Sequence, residues 1–230
     1  MLNWRGAPIN ECHEPLVLLG DFTHDRLIVR PRYFLRGVPG ALTECYVRET
    51  VAAMLSRAAA ILPSNYRLVV WDAYRPLHVQ KRLFAEYLAE LRSSHPNRSP
   101  DALLEMASEF VSAPSDDASC PSPHLTGGAV DLTIADSSGG CLNMGTDFDD
   151  FSPAARTAFY DALVASGRAL SPDEKISQRN RMMLLSTMIG AGFSNYPEEW
   201  WHYDYGNQLW AASLGRHAIY GPAEPPTQTR

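Results

Sequence analysis

The sequence has few cysteines, and they form no paired motif. Its four cysteines, Cys12, Cys45, Cys120 and Cys141, lie far apart without a C-x-x-C pair. This argues against a structural zinc site built on thiolates. A chain of 230 residues forms one sizeable domain, or at most two small ones, and buries enough apolar surface to fold without disulfides. We therefore predict four free thiols.

Long apolar runs and dense basic stretches are also missing. The longest apolar stretches, such as 68–71, are far shorter than the roughly 20 residues of a membrane-spanning helix. The formal net charge is -6, and lysine and arginine form no stripe, so the electrostatic footprint of a nucleic-acid or membrane-surface protein is absent. Residues 1–20 lack the basic start and apolar run of a secretory signal. We expect a small-molecule partner, no nucleic acid, no membrane and a cytoplasmic location; a periplasmic location would require a leader that has been removed.

Helical and strand patterns are present and come in blocks. Apolar residues recur with helical spacing at 43–61, 77–91, 101–111, 153–166 and 177–191. Strand patterns occupy 66–72, 128–134 and 193–205. The turn at 137–140 predicts another strand after it, and the turn-rich first forty residues indicate short strands and loops. Because strands and helices do not alternate strictly, we predict an α+β fold.

One histidine and one aspartate stand seven residues apart, on either side of a glycine pair. His124 precedes the two glycines, which permit a tight turn, and Asp131 follows in the strand pattern. A carboxylate between apolar neighbours is costly to bury without a metal or a cationic partner. Zinc hydrolases use three protein ligands and leave a fourth position for water, so both residues are candidate ligands. A loop histidine and a turn-capping aspartate give the same pattern, and for an isolated pair that is the commoner case.

A glutamate and a second histidine lie in an aromatic stretch near the end of the chain. Glu199 precedes His202 by three residues, with two tryptophans between them. His202 is a candidate third ligand, and Glu199 a candidate general base close to a metal-bound water. The spacing differs from the helical H-E-x-x-H motif. The alternative is a structural aromatic strand with a surface glutamate.

An arginine follows the strand pattern at 66–72. Arg75 is a candidate for stabilising the oxyanion of a tetrahedral intermediate, because active sites collect side chains at strand ends. A lone arginine at such a position is more often part of a structural salt bridge.

Taken together, three ordered motifs resemble one family. D-x-Y-R-P at 72–76, S-x-H-x-x-G-x-A-x-D at 122–131 and E-W-W-H at 199–202 are similar to the motifs of VanX-type D-alanyl-D-alanine dipeptidases. These belong to a zinc peptidase group that also contains D,D-carboxypeptidases. The resemblance covers roughly 21–205. It implies a single domain over 1–230, with its core at about 21–205, a central antiparallel sheet flanked by helices, and a zinc site on the sheet.

The resemblance also implies the metal and the catalytic residues. One zinc ion per chain would be held by His124, Asp131 and His202. Glu199 would act as general base and then as general acid, and Arg75 would steady the transition state.

Substrate contacts are implied in the same way. The run 144–149 resembles the family stretch M-G-x-x-F-D, whose aspartate binds the free amino group of the dipeptide, so Asp149 would lie in the amine pocket. Ser122 would line the substrate site. Ile28 stands where the family usually has a tyrosine that grips the substrate, which implies an altered pocket.

The leading hypothesis is therefore a zinc dipeptidase acting on D-Ala-D-Ala or a similar short dipeptide. A D,D- or L,D-carboxypeptidase acting on cell-wall peptides is a second interpretation, and it requires an open cleft on the amino side of the scissile bond. A zinc-binding module without catalysis is a third, and it would need neither Glu199 nor Arg75.

Overall fold

A five-stranded sheet forms the centre of the computed structural model, which describes residues 4–226. The strands in this range are β1 (Leu16–Leu18), β2 (Leu27–Val29), β3 (Tyr46–Arg48), β4 (Tyr66–Asp72), β5 (Ala129–Asp136), β6 (Ser194–Asn195) and β7 (His202–Asp204). The helices are α1 (Arg32–Leu35), α2 (Glu49–Ile61), α3 (Leu77–Ser94), α4 (Pro100–Phe110), α5 (Phe159–Ala165), α6 (Pro172–Ala191) and α7 (Gln208–Leu214).

The sheet has the strand order β2-β4-β5-β7-β6, and its pairs are antiparallel except for β2 with β4, which run parallel. The parallel pair arises because the chain leaves β2, passes through α1, β3 and α2, and returns as β4, a crossover long enough to restore the strand direction. Strand β1 pairs with β3 in a separate antiparallel ribbon. The prediction of an α+β fold with a central antiparallel sheet flanked by helices is confirmed, apart from the parallel pair β2 and β4.

Strand β5 separates the apolar core from the site. Helices α2 and α6 pack against each other and against β4 and β5. On β5, Val130, Leu132 and Ile134 belong to the apolar core cluster and have no exposed surface. Because successive side chains of a strand point to opposite faces, Asp131 projects from the other face of the sheet.

Three predicted helices begin several residues away from their predicted starts. The helix predicted at 153–166 is a 3-10 turn at Pro153–Ala155 followed by α5, which begins only at Phe159. The helix predicted at 43–61 begins only at Glu49, because Tyr46–Arg48 pairs with β1. The helix predicted at 177–191 begins at Pro172, where Ser171 and Glu174 form a capping box.

Two predicted strands also differ from those in the structure. After the turn at 137–140 the chain makes only an isolated bridge between Ala135 and Cys141. The stretch 193–205 is two short strands, β6 and β7, with a loop between them that carries Glu199.

All four cysteines are free thiols, as predicted. None of the helices within residues 4–226 is both long and apolar enough to cross a bilayer. Residues 1–3 and 227–230 of the predicted single domain lie outside the described range, and the single domain stays a prediction.

Candidate active site

A cavity of about 900 Å³ opens on the face of the sheet to which Asp131 points. Its wall contains six of the seven predicted site residues: Arg75, His124, Asp131, Asp149, Glu199 and His202. Side chains of α3, among them Leu83, Tyr87 and Leu91, form another part of the wall.

Strand register brings the acidic and imidazole groups of the cluster into one row. Asp131 on β5 is the register partner of His202 on β7 and of Asp72 on β4. His124 approaches from the 3-10 turn Pro123–Thr126, which precedes β5. This turn ends at Gly127, whose φ of 71° lies in the left-handed region, and an added Cβ there would collide with the end of the Leu16 side chain.

The three predicted ligands offer donor atoms that all lie within 4.8 Å of one another. His124 Nε2 is 3.3 Å from Asp131 Oδ2, and His202 Nδ1 is 2.9 Å from Asp131 Oδ1. The opposite nitrogen of each ring is held from outside the cluster. His124 Nδ1–H donates to the Ala73 carbonyl at 2.7 Å, and His202 Nε2–H donates to Asp204 Oδ1 at 3.1 Å. With the outer nitrogens held as donors, the inner nitrogens, His124 Nε2 and His202 Nδ1, face Asp131. In the neutral form of each ring, the inner nitrogen would offer its lone pair to a metal ion, as in metal sites with a hydrogen-bonded outer shell. The donor set therefore fits a divalent metal ion.

Asp131 is the electrostatic centre of the cluster. Burial alone would raise the pKa of its carboxyl, but the neighbouring His124 and His202 outweigh burial and hold the pKa well below its usual range. Burial would likewise lower the pKa of His202, but Asp204 and Asp131 outweigh it and hold that pKa well above its usual range. The pocket thus holds an ionised carboxylate at its base, where a cation is favoured.

Glu199 lies beside the cluster, with its Oε2 3.7 Å from His202 Nδ1. The loop that carries it is closed by hydrogen bonds from the Asn195 side-chain amide to the carbonyls of Glu199 and His202, at 3.1 and 2.9 Å. Burial raises the pKa of Glu199 to about 8. A dication at the cluster would lower it, which places this carboxyl in the range where it both accepts and releases a proton near neutral pH.

Arg75 is buried and held from three sides. Its Nε donates to Asp72 Oδ2 at 2.8 Å, and its Nη1 donates to Gln80 Oε1 at 2.7 Å. Its Nη2 lies 2.6 Å from Asp72 Oδ2 and 3.3 Å from Asp131 Oδ2, and the residue lines the cavity. The arginine is therefore both part of a buried salt bridge and available to the site.

Asp149 lies at a different part of the cavity wall, in a strained backbone conformation. Its φ of 62° is in the left-handed region, which few residues other than glycine adopt. Its Oδ1 accepts a hydrogen bond from the Tyr33 hydroxyl at 3.0 Å, and its Oδ2 pairs with Arg36 Nη1 at 2.8 Å. Burial raises the pKa of Asp149 to about 6. Asp147, the other acid of this loop, is exposed.

Arg181 on α6 fixes the loop that leads to Asp149. Its Nε donates to the Met144 carbonyl at 2.7 Å, and its Nη1 donates to the carbonyls of Ala154 and Arg156, both at 2.8 Å. Since these carbonyls belong to the segments before Asp149 and after it, one buried side chain holds both ends of the loop.

Ser122 and Ile28 occupy less direct positions. The Ser122 hydroxyl is buried and has no hydrogen-bond partner among residues 4–226. Its neighbour Pro123 lines the cavity, and the role predicted for Ser122 stays a prediction. Ile28 lies on the edge strand β2, opposite Val69, and packs against the apolar core.

Three further residues of the site were not predicted from the sequence. Asp72 and Asp204 hold Arg75 and His202, and both stand inside or next to the quoted motifs, at the first position of D-x-Y-R-P and two residues after His202. Tyr33 contacts both Arg75 and Asp149. Tyr33 lies outside the sequence motifs from which the site was predicted.

A buried cluster of two histidines and one carboxylate, with a further carboxyl beside it in an open cavity, is the arrangement of a metal-dependent hydrolase. The family model described as D-ala-D-ala dipeptidase matches residues 40–219. The chain belongs to this peptidase family, as the motifs predicted.

Proteins of the same description are similar along the chain. The D-alanyl-D-alanine dipeptidase of Synechocystis sp. is 31% identical over 239 residues, covering 96% of this chain and 96% of the relative. The dipeptidase of Escherichia coli is 28% identical over 161 residues, covering 70% of this chain and 66% of the relative. That of Enterococcus faecium is 28% identical over 162 residues, covering 67% and 70%.

Two solved structures also align with the chain. A zinc complex of the vancomycin-resistance D,D-pentapeptidase VanY aligns with a TM-score of 0.43 and 15% identity, covering 76% of this chain and 83% of the other. VanYB in complex with D-alanine-D-alanine aligns with a TM-score of 0.38 and 16% identity, covering 75% and 80%.

Proposed function

We propose that this protein is a zinc-dependent dipeptidase that hydrolyses D-alanyl-D-alanine or a closely related short dipeptide, with one zinc ion per chain. The observation that carries the proposal is the buried cluster of His124, Asp131 and His202 with Glu199 at its edge, inside an open cavity. The relatives named D-alanyl-D-alanine dipeptidase support the choice of substrate.

His124 Nε2, His202 Nδ1 and the Asp131 carboxylate are the atoms that would hold the zinc ion. When bound, zinc supplies a Lewis acid that polarises the scissile carbonyl and lowers the pKa of water. The Ala73 carbonyl orients the His124 ring and Asp204 orients the His202 ring, each by a hydrogen bond to the ring nitrogen that faces away from Asp131.

Glu199 is the proton carrier in this proposal. Its carboxylate takes a proton from the attacking water and then gives that proton to the leaving amine as the peptide bond breaks. Arg75 lines the cavity and is held there by a buried salt bridge with Asp72. Its fixed guanidinium stabilises the carbonyl oxygen as that oxygen gains negative charge.

Asp149 would accept the free ammonium of the dipeptide. Because the Asp149 carboxylate is fixed in the cavity wall, it pairs only with an ammonium at a set distance from the scissile bond. This pairing selects substrates that have a single residue on the amino side of that bond. A longer peptide would place an uncharged amide group against the Asp149 carboxylate, and that amide lacks the positive charge of the ammonium.

The direct test is release of D-alanine from D-Ala-D-Ala by the zinc-loaded protein, with an alanine tripeptide of the same stereochemistry run beside it. Rapid release from the dipeptide and slow release from the tripeptide are the expected results. A folded, zinc-loaded protein that releases no D-alanine from the dipeptide contradicts the proposal. Faster release from the tripeptide indicates a carboxypeptidase instead.

The affinity for the dipeptide is expected to fall with pH below about 6, because burial raises the pKa of Asp149 to about 6. Above that pKa the carboxylate is ionised and pairs with the ammonium; below it the neutral carboxyl does not. KM should therefore rise by up to about tenfold for each pH unit below the pKa. Initial rates measured from about pH 5 to about pH 7, with zinc content checked at each pH, give KM.

Asp149→Asn is the control for this pH dependence. Its KM should be high throughout and insensitive to pH in the same range. A wild-type KM that stays constant from about pH 5 to about pH 7 contradicts the role of Asp149. A KM of the variant that rises at low pH as in the wild type contradicts it as well.

A further inference from the structure

Tyr33 lies between two groups that the proposed mechanism uses at different ends of the substrate. It belongs to the short helix α1 and lines the cavity. Its hydroxyl donates a hydrogen bond to Asp149 Oδ1 at 3.0 Å and accepts one from Arg75 Nη2 at 3.4 Å. One phenol oxygen therefore connects the ammonium acceptor with the guanidinium at the scissile carbonyl.

The Tyr33 ring is held as firmly as its hydroxyl. The guanidinium carbon of Arg75 lies 4.8 Å from the ring centroid, in cation–π contact. The ring of Phe148, the residue before Asp149, packs against the Tyr33 ring at 5.6 Å between centroids. Only 6% of Tyr33 is exposed. Tyr33 is thus a buried, rigid spacer.

Asp149 depends on this spacer for its position. Its left-handed φ of 62° is a conformation that persists only when neighbouring contacts hold it. Of the two side chains on its carboxylate, Arg36 has a side chain that is 50% exposed, whereas Tyr33 is buried. An exposed ion pair is weak and mobile, so Tyr33 is the partner that fixes the carboxylate.

We propose that Tyr33 is a specificity-determining positioning residue, which sets the distance between Asp149 and Arg75 and thereby the length of peptide that the site accepts. The inference rests on the proposed function and adds a residue to it. A dipeptide has its ammonium one residue from the scissile carbonyl, and a single hydroxyl contacts both Asp149 Oδ1 and Arg75 Nη2, so the two groups that would bind these ends are held close together.

The test compares Tyr33→Phe with the wild type on D-Ala-D-Ala and on the matching alanine tripeptide, with both proteins zinc-loaded. The phenylalanine keeps the ring under Arg75 and removes the hydroxyl, which donates to Asp149 at 3.0 Å and accepts from Arg75 Nη2 at 3.4 Å. Loss of one hydrogen bond to a charged group predicts a rise in KM for the dipeptide of about tenfold. We expect kcat to change by less than about threefold, because Arg75 keeps its ring contact with residue 33 and its hydrogen bonds to Asp72 and Gln80. The preference for dipeptide over tripeptide should fall by about the same tenfold factor.

Tyr66→Phe is the matched control. Tyr66 is a half-buried tyrosine at the opposite end of β4, paired with Asp136 and packed on the core, away from the cavity. This variant should keep the wild-type KM, kcat and substrate preference.

Three outcomes of the kinetic test overturn the inference. An unchanged KM and an unchanged preference in Tyr33→Phe would leave the proposed function intact and remove the role of Tyr33. An equal loss of activity on both substrates, in proportion to a loss of folded protein, would show a purely structural side chain. An equal rise in KM in Tyr66→Phe would show that the effect is not specific to the site.

A binding measurement decides the question even without turnover. Titration of D-Ala-D-Ala into zinc-loaded Glu199→Gln, followed by calorimetry, should give an affinity that Tyr33→Phe in the same background weakens about tenfold. Equal affinities of the two proteins, or no binding by either, contradict the inference. An inactive wild type that still shows the weakened binding contradicts the proposed hydrolysis alone.

Discussion

Glu199→Gln is expected to lower the turnover of D-Ala-D-Ala by about 10²–10⁴-fold while the protein stays folded and still binds zinc. The amide has nearly the same shape as the carboxyl but accepts no proton from water, and the leaving amine then receives none. The carboxyl is buried beside the cluster, 3.7 Å from His202 Nδ1, and is not one of the predicted ligands. KM should therefore change much less than kcat.

Glu198→Gln is the matched control, since Glu198 is the preceding residue and makes a partly exposed salt bridge with Arg156 at 2.6 Å. It should keep at least about half of the wild-type activity, because exposed ion pairs contribute little. Single-turnover rates and zinc content of both variants provide the comparison. Near-wild-type turnover in Glu199→Gln, with zinc bound, would exclude Glu199 as the proton carrier.

Asp131→Asn is expected to weaken zinc binding by well over about 100-fold, because even residues that only orient metal ligands contribute 10–100-fold. The substitution removes the anionic ligand and also the negative charge that faces His124, His202 and Arg75. Wild-type protein should be stabilised by added zinc, since an ion that binds only the folded state raises the free energy of unfolding. The variant should show little or no zinc-dependent rise in its unfolding temperature.

Asp136→Asn, at the far end of the same strand, serves as the control. Its carboxylate accepts hydrogen bonds within the turn at 137–140, as from the Ser138 backbone at 2.8 Å, and lies away from the predicted ligands. Zinc affinity from chelator competition and unfolding temperatures with and without zinc should match the wild type. Tight zinc binding by Asp131→Asn would show that the metal is held elsewhere.

Several elements of the fold were readable from local patterns. The strand at 66–72 coincides with β4, and the helix predicted at 77–91 is α3 with one further turn, because both patterns lie within a continuous run of residues. The start of α6 also had a local signal, the capping box of Ser171 and Glu174, although the sequence analysis began that helix five residues later. The strand Tyr46–Arg48 had no such signal. Its conformation depends on pairing with β1, nearly thirty residues earlier in the chain, which overrides the local helical pattern.

In the site, too, some features could be predicted from local sequence patterns and others depend on long-range contacts. The identity of its chemical groups could be inferred from the sequence alone: two histidines, their aspartate, a nearby glutamate and an arginine stand in three short motifs whose order and spacing characterise the family. Spacing along the chain carries no information about which ring nitrogen of His202 faces Asp131, or about the phenol that joins Arg75 to Asp149. Those contacts depend on strand register and on the packing of α1 against a loop more than a hundred residues away. Only the tertiary structure decided them, because such long-range contacts follow from how whole elements pack and not from the residues on either side.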